Sequence, residues 1–458
     1  MSLAAATVAP GQTPPPNYDE SKIPAYDLPD PLLDSAGKPI TMPDQWPARR
    51  TEIFELFENH VFGKMPAQRR VKTALVRTDP NHDEGKTTRY ELTVTVQRPP
   101  EEVQASDQST SPTRTPAVDS IVIHVLVDVP NANDAASNSA APSNAADSPG
   151  VPAFLGLNFQ GNHTITTDPR VRLPATWVRN RNDGTTQNNL ATPTGRGVAA
   201  SRWPMAMISE RGYATIALYY GDIDPDFDDG FENGIHALIP NFIAQLPPEQ
   251  RPGSIAAWAY GVSCVLDAIE QTPALGIDAS RVAILGHSRL GKTALWAGAI
   301  DPRFALVVSN NSGCGGAALS RRAIGERVGR INRSFPHWFC DGFLAYNENE
   351  NALPVDSHEL VALSAPRPVA IGSATEDTWA DPKGEFLAGN LASPVYQLLG
   401  KPGMLDEKGE SPINSPAPDH AFSSGSISYH LRTGKHDLNE SDWLRYLDFA
   451  DRHFHPQE

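Results

Sequence analysis

The chain has 458 residues, 40% of them hydrophobic and 20% charged, which is enough for a large core. It lacks any run of about 18 apolar residues that would cross a membrane. Lys and Arg number 38 against 54 Asp and Glu, and the resulting net charge of −16 argues against nucleic acid or an anionic membrane as partner. It does not exclude an anionic substrate, because one site can differ in sign from the whole. Three cysteines, Cys264, Cys314 and Cys340, exclude a disulfide-built scaffold and leave the compartment open.

Residues 1–45 are rich in proline and poor in periodic apolar positions, and read as an extended surface arm on one domain spanning 46–458. The first residues lack a basic stretch followed by a long apolar one, so they do not read as a signal peptide. Trp46, Ile53, Leu56, Phe57 and Val61 fall near helical spacing and predict a helix over 44–62. Strands are predicted over 71–76, 90–96 and 121–127. The second alternates Tyr90, Leu92, Val94 and Val96, as a half-exposed antiparallel strand should. Residues 101–118 and 131–150, dominated by Ser, Pro, Ala, Asn and Asp, read as low-complexity insertions. Buried strands are predicted over 152–159 and 213–220, the latter running into the acidic loop 222–229, and a helix over 255–269. Further strands follow at 282–285, 305–309, 368–373 and 427–431. Strands alternating with helical runs predict a doubly wound, mostly parallel sheet with helices on both faces. Ligands then bind beyond the carboxyl ends of its strands.

The most informative stretch is residues 282–298. Val282 to Leu285 form a short apolar strand, Gly286 breaks it, Ser288 stands at the apex, and Gly291 opens a helical run. This is the context in which α/β-hydrolases expose a serine nucleophile, although here the second glycine comes one residue late. The plainer alternative is a glycine-rich turn with a helix-capping serine. A serine hydroxyl needs a base, and the base an orienting acid. In this fold both follow the serine in the chain. His436, in a loop after the last strand and before the terminal helix, stands where the base belongs. His358 sits in a capping box, His430 in a strand, and His453 and His455 in the tail. For the acid, the loop after strand 368–373 offers Asp377 first by position, then Asp381, which is also placed to cap the turn at Pro382, and then Glu376. Arg289 follows the serine, so its backbone N–H and guanidinium are placed for an oxyanion hole. Lys292 lies one turn further on the same helix face.

The run Gly286-His287-Ser288-Arg289-Leu290-Gly291-Lys292 resembles the G-C-S-R-x-G-K signature of glucuronoyl esterases, serine carbohydrate esterases of the α/β-hydrolase fold. The similarity extends from residues 155–159 and 161–164 through 214–221, 312–318 and 338–340 to 434–443. The resemblance implies hydrolysis, without metal or other cofactor, of the esters that join 4-O-methyl-glucuronate on xylan to lignin alcohols. It implies Ser288 as nucleophile, Arg289 as oxyanion arginine and His436 as base. It further implies Lys292 on the sugar hydroxyls, Trp379 packed on the sugar ring and Glu326 at a looser sugar-contacting position. Fungal members carry a catalytic glutamate where this chain has Asn311, whereas some bacterial members place the acid after the later strand, in agreement with Asp377. His287 and Asp437 replace the two cysteines of the fungal disulfide. Cys314 and Cys340 are left either to pair or to remain thiols. Export is expected from the polymeric substrate, a monomer is expected, and an acetyl-xylan esterase or a non-catalytic saccharide-binding protein are the rival readings.

Overall fold

Alternation along the strands decides the layering. In the computed structural model, which describes residues 15–99, 118–131 and 150–455, Val282 and Ile284 enter one apolar core while Ala283 and Leu285 enter another. Ala153, Leu155 and Leu157 part from Phe154 in the same way. Both faces of these strands are covered, which is why they read as near-continuous apolar runs.

The strands of the main sheet are β1 (Val71–His82), β2 (Thr87–Gln97), β3 (Ser120–Pro130), β4 (Val151–Asn158), β7 (Ala214–Tyr219), β8 (Ile277–His287), β9 (Leu306–Asn310), β10 (Val369–Ala374), β11 (His420–Phe422) and β12 (Ile427–Arg432). A separate small hairpin pairs β5 (Thr186–Gln187) with β6 (Leu190–Ala191). The spatial order is β1-β2-β3-β7-β4-β8-β9-β10-β12-β11. From β7 to β12 the pairings are parallel. The first three strands join antiparallel at one edge and β11 at the other. The predicted α/β-hydrolase architecture is thus present. The hairpin and β11 were not predicted, being two or three residues long and without a measurable period. β1 outruns its prediction because it follows β2 through two register shifts on a half-exposed edge, where no apolar period marks it.

Helices cover both faces. Trp46–Phe57, Ser254–Glu270 and Arg289–Ile300 pack into the first core, and Met205–Glu210 and Glu440–Phe454 into the second. The helix Ser254–Glu270 is buried almost all round, as a helix that is apolar on every side must be. The first helix continues from Phe57 into one wide turn, Glu58–Phe62, so the predicted 44–62 stretch is helical nearly throughout. The described part of the proline-rich arm lies along the body. Gly325 N–H donates to the Asn17 carbonyl, His358 meets the Pro29 carbonyl at 2.8 Å, and Glu20 pairs with Lys383 at 2.8 Å. The insertions expected at 101–118 and 131–150 fall almost wholly outside the described residues. All three cysteines are buried and free, so Cys314 and Cys340 do not pair. Among the described residues no helix is long and apolar enough to cross a membrane.

Candidate active site

The site begins with a backbone conformation. Ser288 has φ 58° and ψ −128°, outside the usual allowed regions for a residue with a side chain. It ends β8 and begins the helix Arg289–Ile300, and its side chain makes no capping hydrogen bond. The capping alternative is therefore not what holds it there. Gly286 makes the turn possible, because a Cβ at that position would lie 1.8 Å from the Leu290 carbonyl oxygen. Gly291 has a different task. A Cβ there would come within 3.0 Å of Ser312 Cβ, so this glycine lets the helix approach the 310–312 loop. That explains why the second glycine falls one position late: Leu290 takes the usual place and buries its side chain in the core.

Two neighbouring parallel strands deliver the other members. Asp377 follows β10 and His436 follows β12, and the loops they occupy are hydrogen-bonded to each other. Thr375 N–H donates to the Arg432 carbonyl at 2.9 Å, and Glu376 N–H to the Gly434 carbonyl at 2.8 Å. The Asp377 carboxylate, buried, accepts from His436 Nδ1 at 2.6 Å. Nδ1 therefore carries the proton, and the lone pair falls on Nε2. From below, the buried Arg432 donates to the carbonyls of Lys435 at 2.9 Å and Asp437 at 3.0 Å, and its Nε reaches Asp442 at 3.0 Å. Asp381 is occupied elsewhere. It accepts from Arg322 at 2.8 Å and caps the helix Pro382–Leu391 through Gly384 N–H at 3.0 Å. Glu376 is exposed. Asn311, at the fungal acid position, is tied to the Asp437 carbonyl at 2.9 Å and to Asn310 at 3.0 Å.

The two substituted cysteine positions have their own contacts. His287 packs against His436 in a tilted arrangement, with ring centroids 4.5 Å apart and planes at 40°. Its Nδ1 meets Asn310 Oδ1 at 2.7 Å, and since that oxygen also accepts from Asn311, the proton sits on His287 Nδ1. Burial, then the neighbouring His436, hold its pKa well below the ordinary imidazole value, so the ring is neutral. Asp437 accepts from Arg202 at 2.7 Å.

Arg289 is held by a residue that the sequence reading passed over. Its guanidinium lies 3.4 Å from Asp226 Oδ2, with the rings of Trp338, Phe159 and Phe335 at 5.0, 5.1 and 6.0 Å. Asp226, fully buried in the acidic loop, also accepts from Trp338 Nε1 at 2.7 Å, Tyr220 OH at 2.8 Å and His337 Nε2 at 2.9 Å. Burial alone would raise its pKa, but the bonds from His337 and the charge of Arg289 bring it down to about 2. Arg289 Nε remains buried without a hydrogen-bond partner.

Lys292, Glu326 and Trp379 form a second group beside the helix. Lys292 Nζ lies 3.6 Å from Glu326 Oε2 and donates to the Ser312 carbonyl, and Glu326 N–H donates to the Trp379 carbonyl at 2.9 Å. Trp379 keeps 37% of its surface exposed, with Arg330 over its ring. A cavity of about 360 Å³ is lined by Ser288, Arg289, His287 and His436 among others, and Lys292, Glu326 and Trp379 do not line it.

A serine on a strand-to-helix elbow, above the carboxyl edge of a doubly wound sheet and beside an Asp–His pair, defines an α/β-hydrolase equipped for ester cleavage. The family model described as "Glucuronyl esterase, fungi" matches residues 241–400. Carbohydrate esterase MZ0003, from an unknown prokaryotic organism, is 46% identical over 439 residues, covering 95% of this chain and 92% of that protein. The glucuronoyl esterase from Solibacter usitatus superposes with a TM-score of 0.78 at 38% identity, over 95% of this chain and 100% of that one. The 4-O-methyl-glucuronoyl methylesterase of Schizophyllum commune is 26% identical over 82% of this chain and 74% of its own length. The chain belongs to the glucuronoyl esterase family.

Proposed function

We propose that this chain hydrolyses esters of 4-O-methyl-glucuronic acid, as in the lignin–carbohydrate ester links of glucuronoxylan, through a Ser288–His436–Asp377 triad. The observation that carries the reading is the 2.6 Å bond from Asp377 to His436, whose ring lines the same cavity as Ser288. Ser288 Oγ attacks the ester carbonyl while His436 Nε2 takes its proton. Asp377 fixes the tautomer that leaves Nε2 free and stabilises the imidazolium that forms. Arg289, with one N–H unsatisfied, stabilises the tetrahedral oxyanion. His436 then returns the proton to the departing alkoxide, and water, deprotonated by the same imidazole, releases the uronate from the acyl-enzyme. Lys292, Glu326 and Trp379 bind the uronate ring, the tryptophan supplying a face and the ion pair supplying donors and acceptors for hydroxyls.

The direct test is turnover of a benzyl glucuronate ester by wild type and Ser288→Ala. Loss of activity in a variant with unchanged thermal midpoint is expected, and undiminished turnover rejects the assignment. An acetyl-xylan substrate cleaved faster than the uronate ester would favour the acetyl-esterase reading instead. The polymeric substrate further supports an exported enzyme, and we propose that it acts as a monomer. Activity confined to the producing cells, or a dimer mass in sedimentation, would reject those two points respectively.

A further inference from the structure

The cavity beside Ser288 has a charge opposite to that of the protein. Its described lining includes Arg179, Arg181, Arg202 and Arg289 together with His287 and His436, and no Asp or Glu, in a chain of net charge −16. Three carboxylates stand behind the four guanidiniums. Asp226 serves both Arg179 and Arg289, Asp183 serves Arg181 and Asp437 serves Arg202. One cation in the set is therefore not offset. Arg179 and Arg181 keep 52% and 53% of their side chains exposed, so they can turn toward a bound anion. Phe159, Trp203, Leu157, Ile165 and Leu438 give the wall an apolar and aromatic part, beside the polar Asn158, Gln160 and Thr164. The Lys292–Glu326–Trp379 group does not line it, so a uronate held on that group leaves this cavity unfilled.

We infer that the cavity is an alcohol subsite selecting an aryl alcohol that carries a carboxylate. The inference rests on the proposed glucuronoyl esterase activity. The aromatic wall takes the ring, and Arg179 and Arg181 at its rim take the anionic group. Bond-making is unchanged. Ser288 Oγ replaces the alcohol oxygen at the carbonyl carbon, and that oxygen leaves with the proton from His436.

Three glucuronate esters test it: benzyl, 4-(carboxymethyl)benzyl and 4-(aminomethyl)benzyl. In each substituted ring the methylene insulates the leaving oxygen from the charged group. At low ionic strength kcat/KM should fall in the order anionic, neutral, cationic, with about a tenfold advantage of the anion over the neutral ester that shrinks in 0.5 M salt. Arg181→Gln and Arg179→Gln should each cut that advantage several-fold. The readout is a ratio measured on one enzyme preparation, so loss of folded protein cancels. Equal constants for the anionic and cationic esters, or a ratio unmoved by both substitutions, would overturn the subsite while leaving the esterase reading intact. Failure of wild type to cleave any of the three would overturn the esterase reading and this inference with it.

Discussion

Asp377→Asn separates the proposed acid from its nearest rival. The carboxylate accepts from His436 Nδ1 at 2.6 Å, and this fixes the proton on Nδ1. An asparagine in the same place can present its NH2 to Nδ1, which moves the proton to Nε2 and removes the lone pair that takes the Ser288 proton. Wrong-tautomer substitution in a serine triad costs about 10⁴ in kcat, or about 5.5 kcal/mol of barrier. Asp381 offers the contrast. Its oxygens hold Arg322 and the Gly384 N–H, neither of which touches His436, so Asp381→Asn should cost about 1–3 kcal/mol of stability and leave kcat near wild type. Steady-state hydrolysis of benzyl glucuronate, with thermal unfolding of each variant, measures both. A tenfold or smaller loss for Asp377→Asn, or equal losses for the two variants at equal thermal midpoints, would refute the assignment.

Asp226→Asn removes the one carboxylate paired with Arg289 among the described residues. It should lower kcat by about ten- to a hundredfold, below the 10²–10³ expected for deleting an oxyanion donor outright, with KM little changed. A rise in KM at constant kcat would contradict a positioning role. Gly286→Ala places a Cβ 1.8 Å from the Leu290 carbonyl oxygen, where only backbone can yield, so soluble protein should lose about 1–3 kcal/mol or more of stability and most of its turnover together. Wild-type kcat in that variant would show that the elbow tolerates a shift. Glu385, fully buried, has its pKa raised to about 8 chiefly by burial, with the charge of Asp377 adding and the bonds from Ser373 and Gly313 opposing. Its folded value thus exceeds the ordinary 4.5, so the native state binds more protons between 4.5 and about 8, and the contribution is present below that window and lost as pH rises through it. Glu385→Gln should flatten this alkaline decline by up to about 1.4 kcal/mol per pH unit, read from urea unfolding at pH 5, 6.5 and 8. An unchanged slope would show that Glu385 is ionised throughout.

The parallel half of the sheet was legible because strands buried on two faces leave long apolar runs, and the triad candidates because the fold sets their chain order. His436 and Asp377 could be chosen by position after strands. The hydrogen bond between them could not, since it depends on β10 and β12 being neighbours. Asp226 was visible only as part of an acidic loop. Three buried aspartates alternate there, Asp222, Asp224 and Asp226, each with separate partners, His124, His236 and Arg289 respectively. One-dimensional reading sees a run of charge and expects solvent. Nothing local announces that Asp222 meets His124 and Asp226 meets Arg289, each from a distant segment. The reversal of charge in the cavity is hidden for the same reason, because the Arg179/Arg181 pair, Arg202 and Arg289 come from three separate stretches and meet only in the fold.

The hydrogen bonds that join the loops after β10 and β12 have a consequence for how the enzyme can fail. The proposed acid and base, Asp377 and His436, ride on one stitched platform, with Arg432 and Asp442 as its underside. A fluctuation at that edge of the molecule displaces the pair together and preserves its internal spacing, so the alignment most open to disturbance is between the platform and the serine. Damage to the terminal helix, none of whose residues lines the cavity, would then register as a slower first attack with the tautomer of the base intact.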